Sequence, residues 1–299
     1  MNAGGDQETK KIAESFRNND NFTILQQKPG GKMKALNECL NFISEGIIYS
    51  TDADIIITDE ILLRMIYPII NQNEYVVVGG VRPLKFQQNN SVVKYLLTTR
   101  NPNFKIKFSR YEGRQISGPN TCFKYELFTE IGKFQEDNYF AATDRVRGPQ
   151  IRSKGFKLYQ LRSYRGKLFT YYPDSVRVYI LQELRWRENA LTNPYSRRNF
   201  KLFIKYIISI LLSLYIIVFP VLIFFNLSFI FIGILILFNN YLNKLRKVRF
   251  FKFTVSNKYY NKFGLMFFIK IILYIYIDAL ITIFVGFNII LHKVKSKTS

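Results

Sequence analysis

A run from Tyr206 to Phe238 contains no charged residue. About 20 apolar residues in a helix cross a bilayer, so this run is too long for one span and suits two short ones. A second apolar run, Leu265 to Leu291, contains only Lys270 and Asp278 as charged residues. Helices on a soluble domain show a polar face every few residues, and these runs show none. We therefore predict three transmembrane helices, at residues 203–222, 224–241 and 265–289.

The formal net charge of the chain is +22, and many basic residues lie beside these apolar runs. The loop from Lys244 to Lys262 is rich in lysine and arginine, and the positive-inside rule places such a loop in the cytoplasm. The domain before the first run then faces the cytoplasm as well. The basic tail at residues 293–297 favours a cytoplasmic carboxyl terminus, which three full spans do not give. Either the third run is re-entrant, or the first run crosses differently.

A nucleic-acid-binding protein can carry a similar positive charge. The apolar last third and the lack of a nucleic-acid-binding motif argue against that class. We therefore predict a multi-pass protein of the cell membrane with no nucleic-acid partner. It divides into a cytoplasmic domain (residues 1–199) and a membrane domain (residues 200–299). Cys39 and Cys122 are the only cysteines, and they support neither a disulfide framework nor a cysteine-based zinc site.

Helical and strand patterns alternate in the first part of the chain. The apolar spacing predicts helices at residues 8–17, 33–45 and 61–71, and short strands at residues 22–26, 47–50 and 75–78. Gly46 is predicted to end the second helix. Such alternation is typical of an α/β domain with a largely parallel sheet. In these sheets ligands bind beyond the carboxyl ends of the strands.

The pair Asp52 and Asp54 directly follows the strand predicted at residues 47–50. Alternate residues leaving a strand can present two carboxylates to one point. Hard oxygen ligands beside a nucleotide diphosphate suit Mg²⁺ or Mn²⁺. Isolated Asp-x-Asp pairs are also common in solvated loops, so the pair alone leaves both readings open.

Two further segments suit a phosphate ligand. Gly30 and Gly31 precede a predicted helix, and Lys32 adds positive charge to the backbone N–H groups that such a helix start exposes. Near the first apolar run, Arg185 can pair with a diphosphate and Trp186 can stack on a sugar ring. The alternatives are an ordinary helix start at Lys32 and an amphipathic helix at the membrane interface around Trp186. A sugar acceptor also needs a general base, for which Asp137 and Asp144 are the candidates.

Taken in order, these segments resemble the family 2 glycosyltransferases, in particular the membrane-bound branch with the cellulose, hyaluronan and chitin synthases and ceramide glucosyltransferase. The resemblance covers residues 1 to about 190. Its first two motifs here are Gly30-Gly31-Lys32-Met33-Lys34-Ala35-Leu36-Asn37 and Asp52-Ala53-Asp54. The third runs from Gly118-Pro119-Asn120-Thr121-Cys122-Phe123-Lys124 to Ile131-Gly132-Lys133-Phe134, and the fourth is Pro173-Asp174-Ser175 followed by Gln182-Glu183-Leu184-Arg185-Trp186.

The resemblance implies a GT-A-type Rossmann-like domain followed by transmembrane helices. It also implies an inverting, metal-assisted transfer of sugar from a nucleotide-sugar, often a UDP-sugar, to a lipid-linked or glycan acceptor, with Mg²⁺ or Mn²⁺ as cofactor. Asp52 would face the diphosphate and Asp54 the metal, with Asp52 as the second possible metal ligand. The other implied donor-binding residues are Lys32, Gln182, Arg185 and Trp186.

The resemblance favours Asp144 as the catalytic base, because it lies 11 residues before Gly155-Phe156. Asp137 is the alternative, since Glu136-Asp137 resembles the pattern of ceramide glucosyltransferases. The family normally begins with a strand and helix that end in an acidic turn, and residues 2–9 align with that turn. The domain is therefore expected to be truncated before its first strand. This expectation motivates an alternative function, a catalytically inactive homologue that acts as a binding partner in the membrane.

Overall fold

The computed structural model describes residues 7–16, 22–25, 31–100, 116–134, 143–161, 166–192, 200–222, 228–254 and 265–298. The chain forms two compact units. The first comprises Met1–Val81 and Ser109–Leu168, and the second comprises Arg82–Phe108 and Phe169–Ser299. The boundary at residue 199 between the predicted cytoplasmic domain and the predicted membrane domain stays a prediction.

Helices and strands alternate through the first part of the described chain, and helices alone make up the last part. In chain order the elements are α1 (Gln7–Glu14), α2 (Gly31–Leu40), β1 (Ile47–Ser50), β2 (Ile55–Ile56), α3 (Asp59–Gln72), β3 (Val76–Val78), β4 (Val81–Pro83), a 3-10 helix (Lys85–Asn89), α4 (Ser91–Arg100), β5 (Thr121–Lys124), α5 (Glu126–Ile131), α6 (Thr143–Ser153), β6 (Tyr159–Gln160), β7 (Leu168–Thr170), α7 (Val176–Thr192), α8 (Phe200–Leu222), α9 (Ser228–Thr254) and α10 (Leu265–Thr298).

The sheet of the first unit is mixed, with the strand order β1-β5-β3-β6. β5 runs antiparallel to both β1 and β3, whereas β3 and β6 are parallel. The α/β class is confirmed, but the expectation of a largely parallel sheet is only partly correct. Thr121, the first residue of β5, pairs with Ser50 and Val78, the last residues of β1 and β3. The chain therefore enters β5 from the carboxyl ends of its neighbours, and only an antiparallel strand can start there.

β3 is buried on both faces of the sheet. Val76 and Val78 pack on one face with residues of α2, α5 and α6, whereas Val77 packs on the other face with residues of α3. This follows from the strand period of two, which turns successive side chains to opposite faces. Burying one such valine stabilises the fold by about 1.5–3 kcal/mol. The continuous apolar run at residues 75–78 therefore marks the centre of the core.

The second helix ends earlier than its apolar spacing predicts. α2 stops at Leu40, and the next three backbone N–H groups donate to carbonyls three residues back, in turns rather than in helix. Gly46 does not end this helix. It lies directly before β1 with φ +89°, a backbone conformation that favours glycine. The other predicted elements agree with α1, β1, α3 and β3 to within a few residues, and Leu25 forms a single bridge within the strand predicted at residues 22–26.

The described part of the second unit is mainly helical. Each of the three predicted spans overlaps a helix, namely α8, α9 or α10. By length and composition, one helix segment among the described residues qualifies as a membrane span, Met266–Asn288 in α10. Tyr206–Val218 in α8 is a shorter apolar segment. The other two predicted spans stay predictions.

Candidate functional site

Three loops of the first unit meet at one edge of the sheet. The pairing of Thr121 with Ser50 and Val78 brings the ends of β1 and β3 beside the start of β5. The segments that follow or precede these ends therefore share this edge, and they are residues 51–54, 79–80 and 118–120. Ligands of α/β sheets bind at the carboxyl ends of the strands, so this edge is the candidate site.

Asn120 connects β1, the turn after β3 and Gly166 at this edge. It is fully buried, and its side-chain amide donates to the carbonyl oxygens of Gly80 (2.8 Å) and Gly166 (3.2 Å). Its Oδ1 accepts from the hydroxyl of Tyr49 at 2.9 Å. Burial raises the pKa of Tyr49 above its ordinary value, which is already far above neutral pH, so the hydroxyl is a donor. The backbone carbonyl of Asn120 accepts from the N–H of Gly79 at 2.9 Å.

Gly79 is required by the close approach of Asn120. A Cβ at this position would lie 2.2 Å from Nδ2 of Asn120 and 2.8 Å from Sδ of Met65. Both neighbours are fully buried, and the hydrogen bonds of Asn120 hold it in place. Glycine at residue 79 therefore allows the end of β3 to pack against the loop before β5.

The structure brings together two of the predicted donor-binding residues, Lys32 and Asp52. The ammonium of Lys32, at the second position of α2, forms an ion pair with Oδ1 of Asp52. The neighbouring Thr51 hydroxyl donates to the carbonyl of Pro119 at 3.1 Å. The positive end of a helix, a lysine and an aspartate therefore lie together at the sheet edge, where a phosphate-bearing ligand and a cation would both find charge complements.

The residues present fit a divalent cation that is shared with a phosphate ligand. Asp54 is exposed, and Asp52 is about one-third exposed, so both carboxylates lie at the surface of the edge. Among the residues that the structure describes, no group of three or more His, Cys, Asp or Glu side chains forms a complete cage. Mg²⁺ in nucleotide sites is usually held by only one or two carboxylates, together with water and substrate phosphates. Two carboxylates on one turn match that donor set.

The structure describes the backbone of only one of the two candidates for the catalytic base. Asp137 lies outside the described residues, and Asp144 is the second residue of α6, with its side chain outside the description. One turn further along α6, the buried guanidinium of Arg147 lies 5.1 Å from the ring centroid of Phe134. Asn37 of α2 exchanges two hydrogen bonds with the backbone of Phe134, at 2.8 Å and 3.0 Å. Phe134 thus ties the start of α6 to the helix that carries Lys32.

The remaining predicted residues belong to the second unit. Gln182, Arg185 and Trp186 all lie on α7, and Arg185 and Trp186 are exposed. Within α7 they are close in sequence and in space. Their convergence with Asp52 stays a prediction.

The sequence reasoning missed the roles of Asn120 and Phe134. Asn120 was included only as part of the motif that begins at Gly118, because nothing in its neighbourhood indicates a buried side-chain amide with three hydrogen bonds. A polar residue between a proline and a buried strand is the only available signal.

Residues 2–131 match the model described as Glycosyl transferase family 2. This segment includes Lys32, Asp52, Asp54 and the whole β5 edge, and the match supports a glycosyltransferase. No curated protein shows significant sequence similarity to the chain.

Solved structures to which the chain shows similarity include the mannosyltransferase PcManGT from Pyrobaculum calidifontis, in complex with GDP-Man and Mn²⁺. The identity is 16% and the TM-score is 0.45, and the alignment covers 62% of this chain and 50% of that one. Another is S. aureus TarS 1-349 in complex with UDP-GlcNAc, at 14% identity and a TM-score of 0.40, covering 64% of this chain and 56% of that one. The chain thus spans about half the length of each.

Proposed function

We propose that this protein is a membrane-bound glycosyltransferase that transfers a sugar from a UDP-sugar to a lipid-linked or glycan acceptor. One observation carries the proposal. The segment that matches family 2 contains the ion pair of Lys32 with Asp52, and it contains Asp54 on the same turn, at the carboxyl edge of a mixed sheet. This places charge complements for a diphosphate and for a cation on one edge.

In this proposal the donor diphosphate binds between the start of α2 and the Asp52–Asp54 turn. Lys32 and the first N–H groups of α2 attract the phosphates. Arg185 and Gln182 on α7 are the other proposed diphosphate-binding residues, and Trp186 is proposed to stack on a sugar ring. Asp54, with Asp52 beside it, would hold a Mg²⁺ or Mn²⁺ ion, which would supply positive charge to the leaving diphosphate.

The proposed transfer is a single displacement that inverts the sugar carbon. Asp144 accepts the proton of the acceptor hydroxyl, with Asp137 as the alternative base. The hydroxyl oxygen forms a bond to C1 of the donor sugar, and the bond from C1 to the diphosphate oxygen breaks. The nucleoside diphosphate leaves with the electron pair of that bond. Attack from the side opposite the leaving group inverts the configuration at C1.

Nucleotide binding tests the proposed donor site directly. We expect isothermal titration of the full chain in detergent to show binding of UDP in the presence of Mn²⁺, with GDP as the comparison nucleotide. Asp54→Asn should weaken UDP binding about tenfold or more, which corresponds to about 1.4 kcal/mol or more of lost binding free energy. This loss should shrink when Mn²⁺ is omitted, because the substitution acts through the cation.

Asp59→Asn is the matched control, since Asp59 is an exposed aspartate of the same unit at the start of α3. It should bind UDP as the unchanged protein does. Folded protein that binds neither UDP nor GDP would reject the enzyme proposal, and it would favour the inactive binding partner.

We also propose that α8 to α10 anchor the protein in the cell membrane with the first unit in the cytoplasm. The apolar segment Met266–Asn288 and the basic loop after residue 244 support this arrangement. The protein should stay in the membrane pellet after extraction with alkaline carbonate. In Ser44→Cys, which places a thiol at an exposed position, a membrane-impermeant maleimide should label the protein only after the cells are permeabilised. Labelling of intact cells would place the first unit outside.

A further inference from the structure

Asp278 of α10 is surrounded by polar side chains from three other helices of the second unit. The hydroxyls of Tyr95 on α4 and Tyr179 on α7 donate to its two carboxylate oxygens. The guanidinium of Arg187 on α7 donates to Oδ1 at 2.8 Å, and the ammonium of Lys244 on α9 lies 3.5 Å from Oδ2. A carboxylate within an apolar helix is costly unless it has such partners.

Carboxylates and cations meet in this cluster. Arg187 also pairs with Glu183, one turn earlier on α7, with 3.3 Å between Nε and Oε2. Two carboxylates, Asp278 and Glu183, therefore face two cations, Arg187 and Lys244. Removing one member of a buried pair leaves an uncompensated charge and is strongly destabilising. The cluster therefore links α7 to α10 through specific ion pairs and hydrogen bonds.

Arg187 donates hydrogen bonds to two successive turns of α10. Its Nη1 donates to the backbone carbonyl of Asp278 at 3.0 Å and also to the hydroxyl of Thr282, one turn further along α10. The guanidinium is planar and its donors have fixed directions. Contacts at two successive turns therefore fix the rotation of α7 about its own axis as well as its distance from α10.

The residues of α7 that contact α10 lie on a different side of the helix from Gln182 and Arg185. Tyr179, Glu183 and Arg187 are spaced by four residues and share one side of the helix. Successive helical residues are rotated by about 100°, so Gln182 and Arg185 lie within about 40° of the side opposite Arg187. Trp186, the residue before Arg187, lies about 100° from it, on the flank of the helix. A rotation of α7 would therefore move Gln182, Arg185 and Trp186 together.

We propose that Asp278 is a positioning residue that sets the orientation of α7 through its contact with Arg187. The orientation of α7 in turn sets the placement of Gln182, Arg185 and Trp186. The link to sugar transfer rests on the proposed function. The orientation of α7 itself does not, and it can be measured separately.

Trp186 is the only tryptophan of the chain, so its fluorescence reports on α7 without any substrate. In the detergent-solubilised full chain, Asp278→Asn should make Trp186 more accessible to acrylamide and shift its emission to longer wavelength. Trp186 is 39% exposed, so its accessibility can still rise when α7 is no longer held in place. Lys270→Gln is the matched control, since it removes an exposed charge from the same helix, and it should leave quenching unchanged.

A double-mutant cycle tests the route through Arg187. If Asp278 acts through Arg187, then Asp278→Asn combined with Arg187→Gln should raise quenching no further than either single substitution. Thr282→Val keeps the ion pair and removes one contact of Arg187, so it provides a milder variant should Asp278→Asn fail to fold. It should give a smaller rise in quenching. Equal quenching in Thr282→Val, Lys270→Gln and the unchanged protein overturns the proposal.

UDP titration with Mn²⁺ separates this proposal from the proposed function. If the unchanged protein binds UDP, Asp278→Asn should weaken binding, about tenfold for each 1.4 kcal/mol lost, whereas Lys270→Gln should not. If the unchanged protein binds no UDP but the quenching pattern appears as expected, the positioning of α7 stands and the proposed function fails. UDP affinity that is unchanged in Asp278→Asn, despite altered quenching, overturns the link from Asp278 to donor binding.

Discussion

Asp144→Asn is expected to lower sugar transfer about a thousandfold, within the range that a positioned general base contributes, while UDP binding stays within about twofold. Asparagine has the shape of aspartate but cannot accept the acceptor's proton. The loss therefore falls on the chemical step and not on donor binding. The measurement is the incorporation of radiolabelled sugar from a panel of UDP-sugars into membrane lipids and glycans, beside isothermal titration with UDP and Mn²⁺.

Asp137→Asn distinguishes the two candidate bases, and it should lower transfer much less than Asp144→Asn does. Glu130→Gln, an exposed position on α5, serves as the inert control. A thousandfold loss in Asp137→Asn, with Asp144→Asn near normal, would assign the base to Asp137. Normal transfer in both variants would remove both aspartates from the chemistry. Since residue 144 is at the start of α6, losing its charge costs the helix only about 0.3–1 kcal/mol, and this is too little to mimic a catalytic loss.

Gly79→Ala is expected to destabilise the first unit by about 3 kcal/mol, the combined scale of overpacking and of disrupted buried hydrogen bonds. The new Cβ would lie 2.6 Å from Cγ of Asn120 and 2.8 Å from Sδ of Met65, and it cannot fit without displacing one of them. At about 2–4 °C for each kcal/mol, the unfolding midpoint should fall by about 10 °C.

Cys122 provides the measurement for this variant. Its thiol is fully buried in β5, and burial raises its pKa to about 12, so it reacts with a fluorogenic maleimide only when the first unit opens. Heating in the presence of the dye therefore reports the midpoint. Gly80→Ala is the adjacent control, since its Cβ would meet only the flexible stem of Lys167, at 3.3 Å. The midpoint should change little in Gly80→Ala, and equal midpoints for the two variants would contradict the proposed role of residue 79.

The local sequence pattern was sufficient to predict much of the fold. β1 was predicted within its observed bounds, and the apolar run at residues 75–78 correctly marked a strand that is buried on both faces. These two predictions are correct because the period of apolar residues depends only on neighbours in the sequence. The end of α2 was wrong by several residues, since the apolar spacing continues through Ile43 while the backbone turns away after Leu40.

The direction of β5 and the role of Asn120 could not be predicted in this way. β5 lies between two strands that are separated from it by long stretches of sequence, and no local pattern says on which side or in which direction it enters. The pairing of Lys32 with Asp52 was likewise not predicted, although both were assigned to donor binding. Their ion pair spans 20 residues and depends on where α2 packs.

The sequence by itself determined the α/β class, the turn of aspartates after β1 and the apolar character of the last third, because each is a property of adjacent residues. Only the tertiary structure decided that Asn120 ties the turn after β3 and Gly166 to Tyr49 of β1. It also decided that Asp278 is bound by Tyr95, a residue 183 positions away. A buried polar group must find its hydrogen-bond partners wherever the packed chain brings them. The packing of whole helices and strands decides which partners a buried polar group meets, and the spacing of neighbouring residues does not predict them.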